Sequence, residues 1–418
     1  MNEGRARAVA NLVATPNPVP CEAGPGTTTI SWSTGDGSSG QVYVSVDGRP
    51  EQLFAEGAEG SKDAPWIGIG TAYEFHLYSG TERTTRLAVV SVTGSDLPWD
   101  LVSNALLGYA HKEERLDDVA RLVARILQGY AHPVLFQQYF PLWEEHGFHL
   151  TPVHFYQPIP DTRTLTDDLW TKESELVGVE MNDAVQLELL RKVFPRFRAE
   201  YEQFPMNPTD RPYEYYSNNN FFSGTDALAL YCMVRHFQPN TILEVGSGFS
   251  SRISAQAARR NKSTNLICIE PYPEATLIHG FPGLTSLIPK EVQKVDLDVF
   301  QRLDTNDMLF IDTSHVVKCG GDVNFLYLEV LPRLNPGVIV HVHDIFFPYE
   351  YPKQWVGELF RFWNEQYLLQ AFLAFNSEYE VLLCNSYLGY KYHDEMRVTF
   401  PNSPWWGGLS FWMRRRVT

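Results

Sequence analysis

The residues of this chain best suited to chemistry are acids and histidines that end apolar runs. Phe310-Ile311-Asp312 is followed by Thr313-Ser314-His315, and His341-Val342-His343-Asp344 ends a second run. Leaving a buried carboxylate unpartnered costs about 3–5 kcal/mol, so packing alone is a poor reason for two such endings. Asp312 and Asp344, if they converge on one cleft, supply the hard oxygen ligands that Mg²⁺ takes, and a bound cation lowers the pKa of a substrate hydroxyl. His315 and His343 stand at or just past the strand ends, where an imidazole titrating near neutrality can act as general base. A helix-cap or loop role for His315 stays open beside that reading. Strand alternation puts His341 and His343 on one face, with Asp344 opposite or in the turn. His341, deeper in the strand, is expected to be a satisfied core histidine.

A second constellation lies upstream. Thr241 to Val245 reads as a buried strand, Gly246-Ser247-Gly248 as a turn, and a helix follows. The glycines allow close backbone approach to a ligand, and Ser250 and Ser251 offer hydroxyls and amides near a helix N-terminus. Glu244, two residues before the turn, suits a cationic ligand and not a pyrophosphate. The next strand, from Asn265, ends at Glu270, whose carboxylate can take two ribose hydroxyls. The run resembles the first two cofactor motifs of class I S-adenosylmethionine-dependent methyltransferases. Two other readings remain at this point: a dinucleotide-binding Rossmann domain, whose third glycine would fall at Ser251, and a strand-turn-helix that binds nothing.

The resemblance covers roughly residues 215–418 and implies an α/β fold with a Rossmann-like, mostly parallel seven-stranded sheet. It implies S-adenosyl-L-methionine as cofactor. Glu244, Gly246, Ser247, Gly248 and Ser250 would surround its methionine part, Glu270 its ribose, and Asp296 or its neighbours between Lys294 and Asp298 its adenine, with Asp312 close by. Asp312 with His315, then Gly320-Gly321-Asp322, then His343-Asp344 is similar to a bacterial branch grouped with cephalosporin-hydroxylase-like and macrocin-type O-methyltransferases. Metal-dependent O-methyltransferases of the catechol and macrolide-sugar type also place acids after strands four and five. Here His343-Asp344 stands where they carry Asp-Asn or paired acids. Asp322 reads equally well as the N-cap of its own helix.

Elements must position these groups. Strands and helices alternate beyond residue 225, the βαβ rhythm of a parallel sheet, with helices expected over 226–237, 251–260 and 322–334. The last two strands, 379–384 and 409–413, are expected to form an antiparallel pair joined by a loop without a helix. Tyr213 to Phe222 and Phe346 to Pro352 are rich in rings and amides, which fits lids or walls for a sugar or polyol. Upstream, alternating runs over 28–32, 41–46, 73–78 and 86–92, separated by glycine turns, predict an all-β sandwich over 21–95 similar to immunoglobulin or fibronectin modules. It is expected to contact a protein or glycan or to act as a spacer, with no cluster of titratable groups. Residues 1–20 read as an extended entry, and 96–214 as a helical connector with amphipathic helices over 116–127 and 184–194.

The net charge of −16 and the lack of a basic stripe argue against nucleic acid; Arg414, Arg415 and Arg416 read as a solvated strand end. Five scattered cysteines without paired spacing suggest neither disulfides nor zinc, and Cys232, Cys268 and Cys384 sit in apolar surroundings as core residues. No secretory leader or long apolar span is read, so a cytoplasmic protein without a membrane partner is expected. The expected activity is methyl transfer to a hydroxyl of a small-molecule or glycan acceptor. An NAD-dependent sugar-modifying enzyme and a non-catalytic binding protein are the competing classes.

Overall fold

The computed structural model describes residues 9–21, 24–95, 116–128 and 139–417. The chain divides into two compact units, Met1–Pro152 and Val153–Thr418. No described helix is long and apolar enough to cross a membrane.

The first unit holds β1 (Asn11–Thr15), β2 (Val19–Pro20), β3 (Gly26–Ser33), β4 (Gly40–Val46), β5 (Gln52–Glu56), β6 (Glu59–Ile67), β7 (Ala72–Ser79) and β8 (Arg86–Ser95). They form a three-stranded sheet, β1-β3-β6, and a five-stranded sheet, β2-β8-β7-β4-β5. Alternate residues, among them Ile30, Trp32, Val42, Phe75 and Leu77, fill one core. Residues 1–8 of the expected extended entry lie outside the described residues; within 9–20 the expectation is corrected, since Leu12 and Ala14 are buried and β1 pairs with β3 from Asn11↔Ser33 to Thr15↔Thr29. β6 escaped the sequence reading because it is a polar edge strand, with only Ala64 and Ile67 buried. The expectation of no titratable cluster also fails. Glu51 accepts from His76 Nδ1 (2.5 Å) and the Tyr78 hydroxyl (2.9 Å), with Arg83 Nη1 at 3.6 Å. The predicted helix near 116–127 is present as Leu116–Gln128; Glu113 and Glu114 lie outside the described residues.

The second unit is built on β9 (Thr241–Val245), β10 (Asn265–Ile269), β11 (Ser286–Ile288), β12 (Met308–Ile311), β13 (Ile339–Val342), β14 (Tyr379–Cys384) and β15 (Phe411–Arg415). Their order is β11-β10-β9-β12-β13-β15-β14, with β9 to β13 mutually parallel and β15 antiparallel to both neighbours. The strands are apolar on both sides, as a covered parallel sheet requires. Ile242, Cys268, Phe310 and Trp412 join one core; Leu243, Ile269, Ile311 and Val342 join the other. The first core is covered by the helices Gly224–Phe237 and Phe249–Asn261.

Two boundaries move. Leu189, Leu190, Val193, Phe194 and Tyr201 pack into that same core, so the helical stretch from Asp183 is part of this unit and not a connector. The join between β14 and β15 is not a bare loop: it carries helices Asn385–Lys391 and His393–Thr399. These are short and bury only Asn385, Leu388, Met396 and Thr399, too little apolar periodicity to stand out in sequence. All five cysteines are free, with Cys232, Cys268 and Cys384 buried.

Candidate active site

In an open α/β sheet, ligands sit beyond the carboxyl ends of the strands, where the strand order reverses. Here that point lies between β9 and β12, and one glycine locks it. Gly246 has φ +81°, and a Cβ there would lie 1.7 Å from the Asp312 carbonyl oxygen. No other residue fits. The Asp312 amide in turn donates to the Val245 carbonyl (2.9 Å). The cofactor turn and the acid after strand four are therefore a single packed piece. Gly248 has an extended backbone and open space where a side chain would project.

Glu244 lies fully buried beneath the turn, where the Ser250 and Ser251 hydroxyls donate to its Oε1 at 2.7 and 2.6 Å. Its Oε2 has no protein partner. Burial is the main reason its pKa rises to about 7, against the pull of those hydroxyls. Glu244 borders neither hollow described below; through the two serine hydroxyls it holds the helix start in place. Ser251 also accepts from the Gly248 amide (3.0 Å).

Glu270 stands at the rim, accepting from the Ser247 amide (3.2 Å) and the Tyr272 amide (2.9 Å). Each carboxylate oxygen keeps a further lone pair for a ligand hydroxyl. Two hollows meet here. One, of about 410 Å³, is bordered by Gly246, Glu270, Tyr272, Gln293, Asp312 and Asp322. The other, of about 240 Å³, is bordered by Phe221, Phe222, Gly246, Ser247, Gly248, Phe249, Ser250, Glu274 and, again, Glu270 and Asp312. Asp296 borders neither. It is exposed and precedes the helix Leu297–Gln301, so its adenine contact is not supported; Glu291, Val292 and Gln293 occupy that wall instead. Asp322 accepts from the amide (3.0 Å) and hydroxyl (2.6 Å) of Ser314, tying the loop after β12 to its own helix start.

Behind Asp312 the four sequence-predicted catalytic residues gather. His315 Nε2 lies 3.3 Å from Asp312 and 3.2 Å from Asp344, while its Nδ1 is 2.8 Å from Glu365. His343 Nδ1 lies 3.7 Å from Asp312 and 3.5 Å from Asp344, and its Nε2 is 3.7 Å from Asp226. Burial opposes a charge on either imidazole, yet the surrounding acids outweigh it and raise both pKa values, that of His343 well above the usual range. Burial likewise opposes ionisation of Asp312, and the two histidines overcome it and hold its pKa low. His315 and Asp344 both sit at φ +58°, a left-handed backbone that non-glycine residues rarely adopt and that concentrates at functional sites. His341 is a core residue as expected, fully buried, but only half satisfied: Nε2 lies 3.0 Å from the Ser410 hydroxyl, while Nδ1 has no hydrogen-bond partner in the protein. Its ring lies 5.8 Å from that of His343, on the same face, as the alternation requires.

Two acids in this cluster were not foreseen. Asp226 accepts from Asn385 (2.8 Å) and from the amides of Leu409 (2.9 Å) and Ser410 (2.8 Å); Glu365 is fully buried and holds His315. Both look in sequence like ordinary acids in the first turn of a helix.

Ligand atoms of Asp312, His315 and Asp344 lie within 4.8 Å of one another. The His315 Nε2 contacts are longer than the roughly 2.7–2.9 Å of a tight charged hydrogen bond, and the Glu365 contact orients the ring from behind, the usual support of a metal-bound imidazole. The donor set thus fits a divalent cation. The turn, with its open space at Gly248, and the adjoining hollows fit a nucleoside cofactor.

The model of a family described as a methyltransferase domain matches residues 243–345, the stretch that runs from the glycine turn to the His343-Asp344 pair. The seven-stranded order, with its penultimate strand reversed at β15, agrees with it. The second unit carries a class I S-adenosylmethionine-dependent methyltransferase domain. This methyltransferase is 34% identical over 165 residues to an uncharacterized protein of Archaeoglobus fulgidus, a match spanning 37% of the chain and 74% of that relative. A crystal structure of the O-methyltransferase TomG from Streptomyces achromogenes, involved in tomaymycin synthesis and in complex with SAM, aligns at 14% identity and a TM-score of 0.30. That alignment spans 57% of the methyltransferase chain and 92% of TomG.

Proposed function

We propose that this methyltransferase acts on oxygen, transferring a methyl group to a hydroxyl of a small sugar-like or secondary-metabolite-like acceptor, with a divalent cation at Asp312, His315 and Asp344. The observation that carries the reading is the position of Asp312. It borders both hollows and is at the same time the outermost member of the acid-histidine cluster.

The larger hollow takes the nucleoside, with the Glu270 carboxylate accepting from ribose hydroxyls and Gln293 and Tyr272 facing the base. The smaller hollow takes the acceptor against Phe221, Phe222 and Phe249. When bound, S-adenosylmethionine supplies an electrophilic methyl, and displacement at it demands little beyond alignment and deprotonation of the acceptor. A cation ligated by the two carboxylates and the imidazole would lower the hydroxyl pKa. The carboxylates suit Mg²⁺, and the imidazole extends the set to Mn²⁺. His343 is the better placed base, because its ring packs 5.0 Å from that of Phe222, which faces the acceptor hollow. His315 is committed to Glu365 on one nitrogen and lies between Asp312 and Asp344 on the other. His343 takes a proton only once the acids holding it charged are neutralised, which ligation of Asp312 and Asp344 would do.

The test has two stages. Calorimetry with S-adenosylhomocysteine and with NAD should show saturable binding of the first alone. A panel of hydroxylated sugars and polyketide-type alcohols, offered with labelled S-adenosylmethionine, should then yield a methyl ether by mass spectrometry, lost in EDTA and restored by Mg²⁺ or Mn²⁺. Label on nitrogen or carbon, or full activity in EDTA, would overturn the oxygen or the metal part respectively.

A further inference from the structure

A third cavity of this unit, of about 390 Å³, shares no bordering residue with the two hollows of the active site. It is walled by one face of the helix Phe249–Asn261 together with the segments around residues 200–205, 211–214 and 281–282. Arg211, Arg252, Arg259 and Arg260 all border it, an unusual convergence in a chain of net charge −16.

The acids in the wall do not cancel this charge. Glu200 accepts from Arg235 (2.8 and 3.2 Å) and from the Tyr231 hydroxyl (2.7 Å), so Arg235, from outside the cavity, already balances it. Glu214 faces the Thr209 hydroxyl (2.7 Å). Arg252 is buried, stacks on Phe249 at 4.0 Å, and meets only Glu274, at a loose 3.4 Å. Among the described residues no ion pair engages the side chain of Arg211, Arg259 or Arg260. Arg211, Arg259 and Arg260 are exposed, so desolvation does not force a partner on them, but together with Arg252 they raise the positive potential around one cavity, which favours a ligand carrying more than one negative charge. A single carboxylate is satisfied by one guanidinium fork, whereas a phosphate dianion has three oxygens to share among several. The lining also carries two aromatic rings: Tyr213 and Phe281 lie parallel, 5° apart in plane with centroids at 6.2 Å, apolar surface suited to a ring-shaped carbon body.

We propose that this cavity is a second ligand site of the methyltransferase, specific for a phosphomonoester carried on a ring, such as a sugar phosphate. The site is separate from methyl transfer, so its occupancy is measurable whether or not the acceptor reading above holds.

The experiment is calorimetry on the full chain at constant ionic strength, titrating glucose 6-phosphate, inorganic phosphate, glucose and glucuronate in turn. Glucose 6-phosphate should bind saturably, at least tenfold tighter than inorganic phosphate or glucuronate, and glucose should give no signal. The double variant Arg259→Ala/Arg260→Ala, both positions exposed, should lose at least tenfold in glucose 6-phosphate affinity while keeping its affinity for S-adenosylhomocysteine and its circular dichroism spectrum. Absence of saturable binding, abolition by sodium chloride alone, equal binding of glucuronate, or wild-type affinity in the double variant would each overturn the proposal.

Discussion

Both units of the chain build a cluster of histidine and acid, and the two differ in balance. In the first unit, Glu51 is matched by His76 Nδ1, Tyr78 and Arg83, with the exposed Glu74 3.5 Å from His76 Nε2. In the methyltransferase unit four carboxylates, Asp226, Asp312, Asp344 and Glu365, surround only two imidazoles, and Asp312 opens onto two hollows. His343 Nε2 and Glu365 Oε1 are buried with no hydrogen-bond partner in the protein, as is His76 Nε2 in the first unit, so the surplus of carboxylates and the open space beside Asp312 are what set the second cluster apart. A matched network stabilises a fold. A network with surplus charge beside open space is under strain that a ligand can relieve.

Four experiments would break or sharpen that contrast. The largest effect is expected from Asp312→Asn or Asp344→Asn, each of which should lower turnover by about 10²–10⁴-fold while leaving S-adenosylhomocysteine affinity within a few-fold by calorimetry. Retained turnover would place the chemistry elsewhere. Next, Glu270→Ala should weaken S-adenosylhomocysteine binding by about 10–100-fold, the worth of hydrogen bonds to a charged acceptor; unchanged affinity would remove its ribose role.

The third concerns Glu244, whose pKa is raised to about 7 in the folded protein. Between the ordinary carboxylate range and pH 7 the folded chain keeps a proton that the unfolded chain releases. Stability therefore falls as pH rises through this window, by about 3 kcal/mol. Glu244→Gln should flatten that slope in thermal melts, leaving the variant more stable than the wild type at pH 8 but not at pH 5. Parallel slopes would mean that Glu244 is ionised throughout. The smallest effect belongs to the matched cluster: Glu51→Gln should cost about 1 kcal/mol or less, because the site is partly exposed to solvent. Methyl transfer should be unaffected, and a loss of turnover would tie the sandwich to catalysis.

Sequence was most informative where burial is two-sided. β9 and β14 span the residues expected of them, because both are buried along nearly their whole length and read as apolar runs between polar turns. It was least informative about polar edges such as β6, whose partner β3 alone makes it a strand. The same limit shaped the site. Asp226, Asp296, Asp322 and Glu365 all occur at helix starts and carry the same local signature. Distant contacts separate them: Asp226 reaches His343 and Glu365 reaches His315, Asp322 ties down a loop, and Asp296 faces solvent. Asp312, His315, His343 and Asp344 were legible because acids and histidines at the ends of apolar strands have few structural reasons to be there.

The absent side chain at Gly246 also sets the rules for re-engineering. Since the Asp312 carbonyl oxygen fills the space a Cβ would need, a library that randomises this turn would dislodge the acid along with it. Diversity aimed at the smaller hollow belongs instead on Phe221, whose exposed ring can change shape while the joint stays welded, whereas Phe222 and Phe249 are anchored in the core.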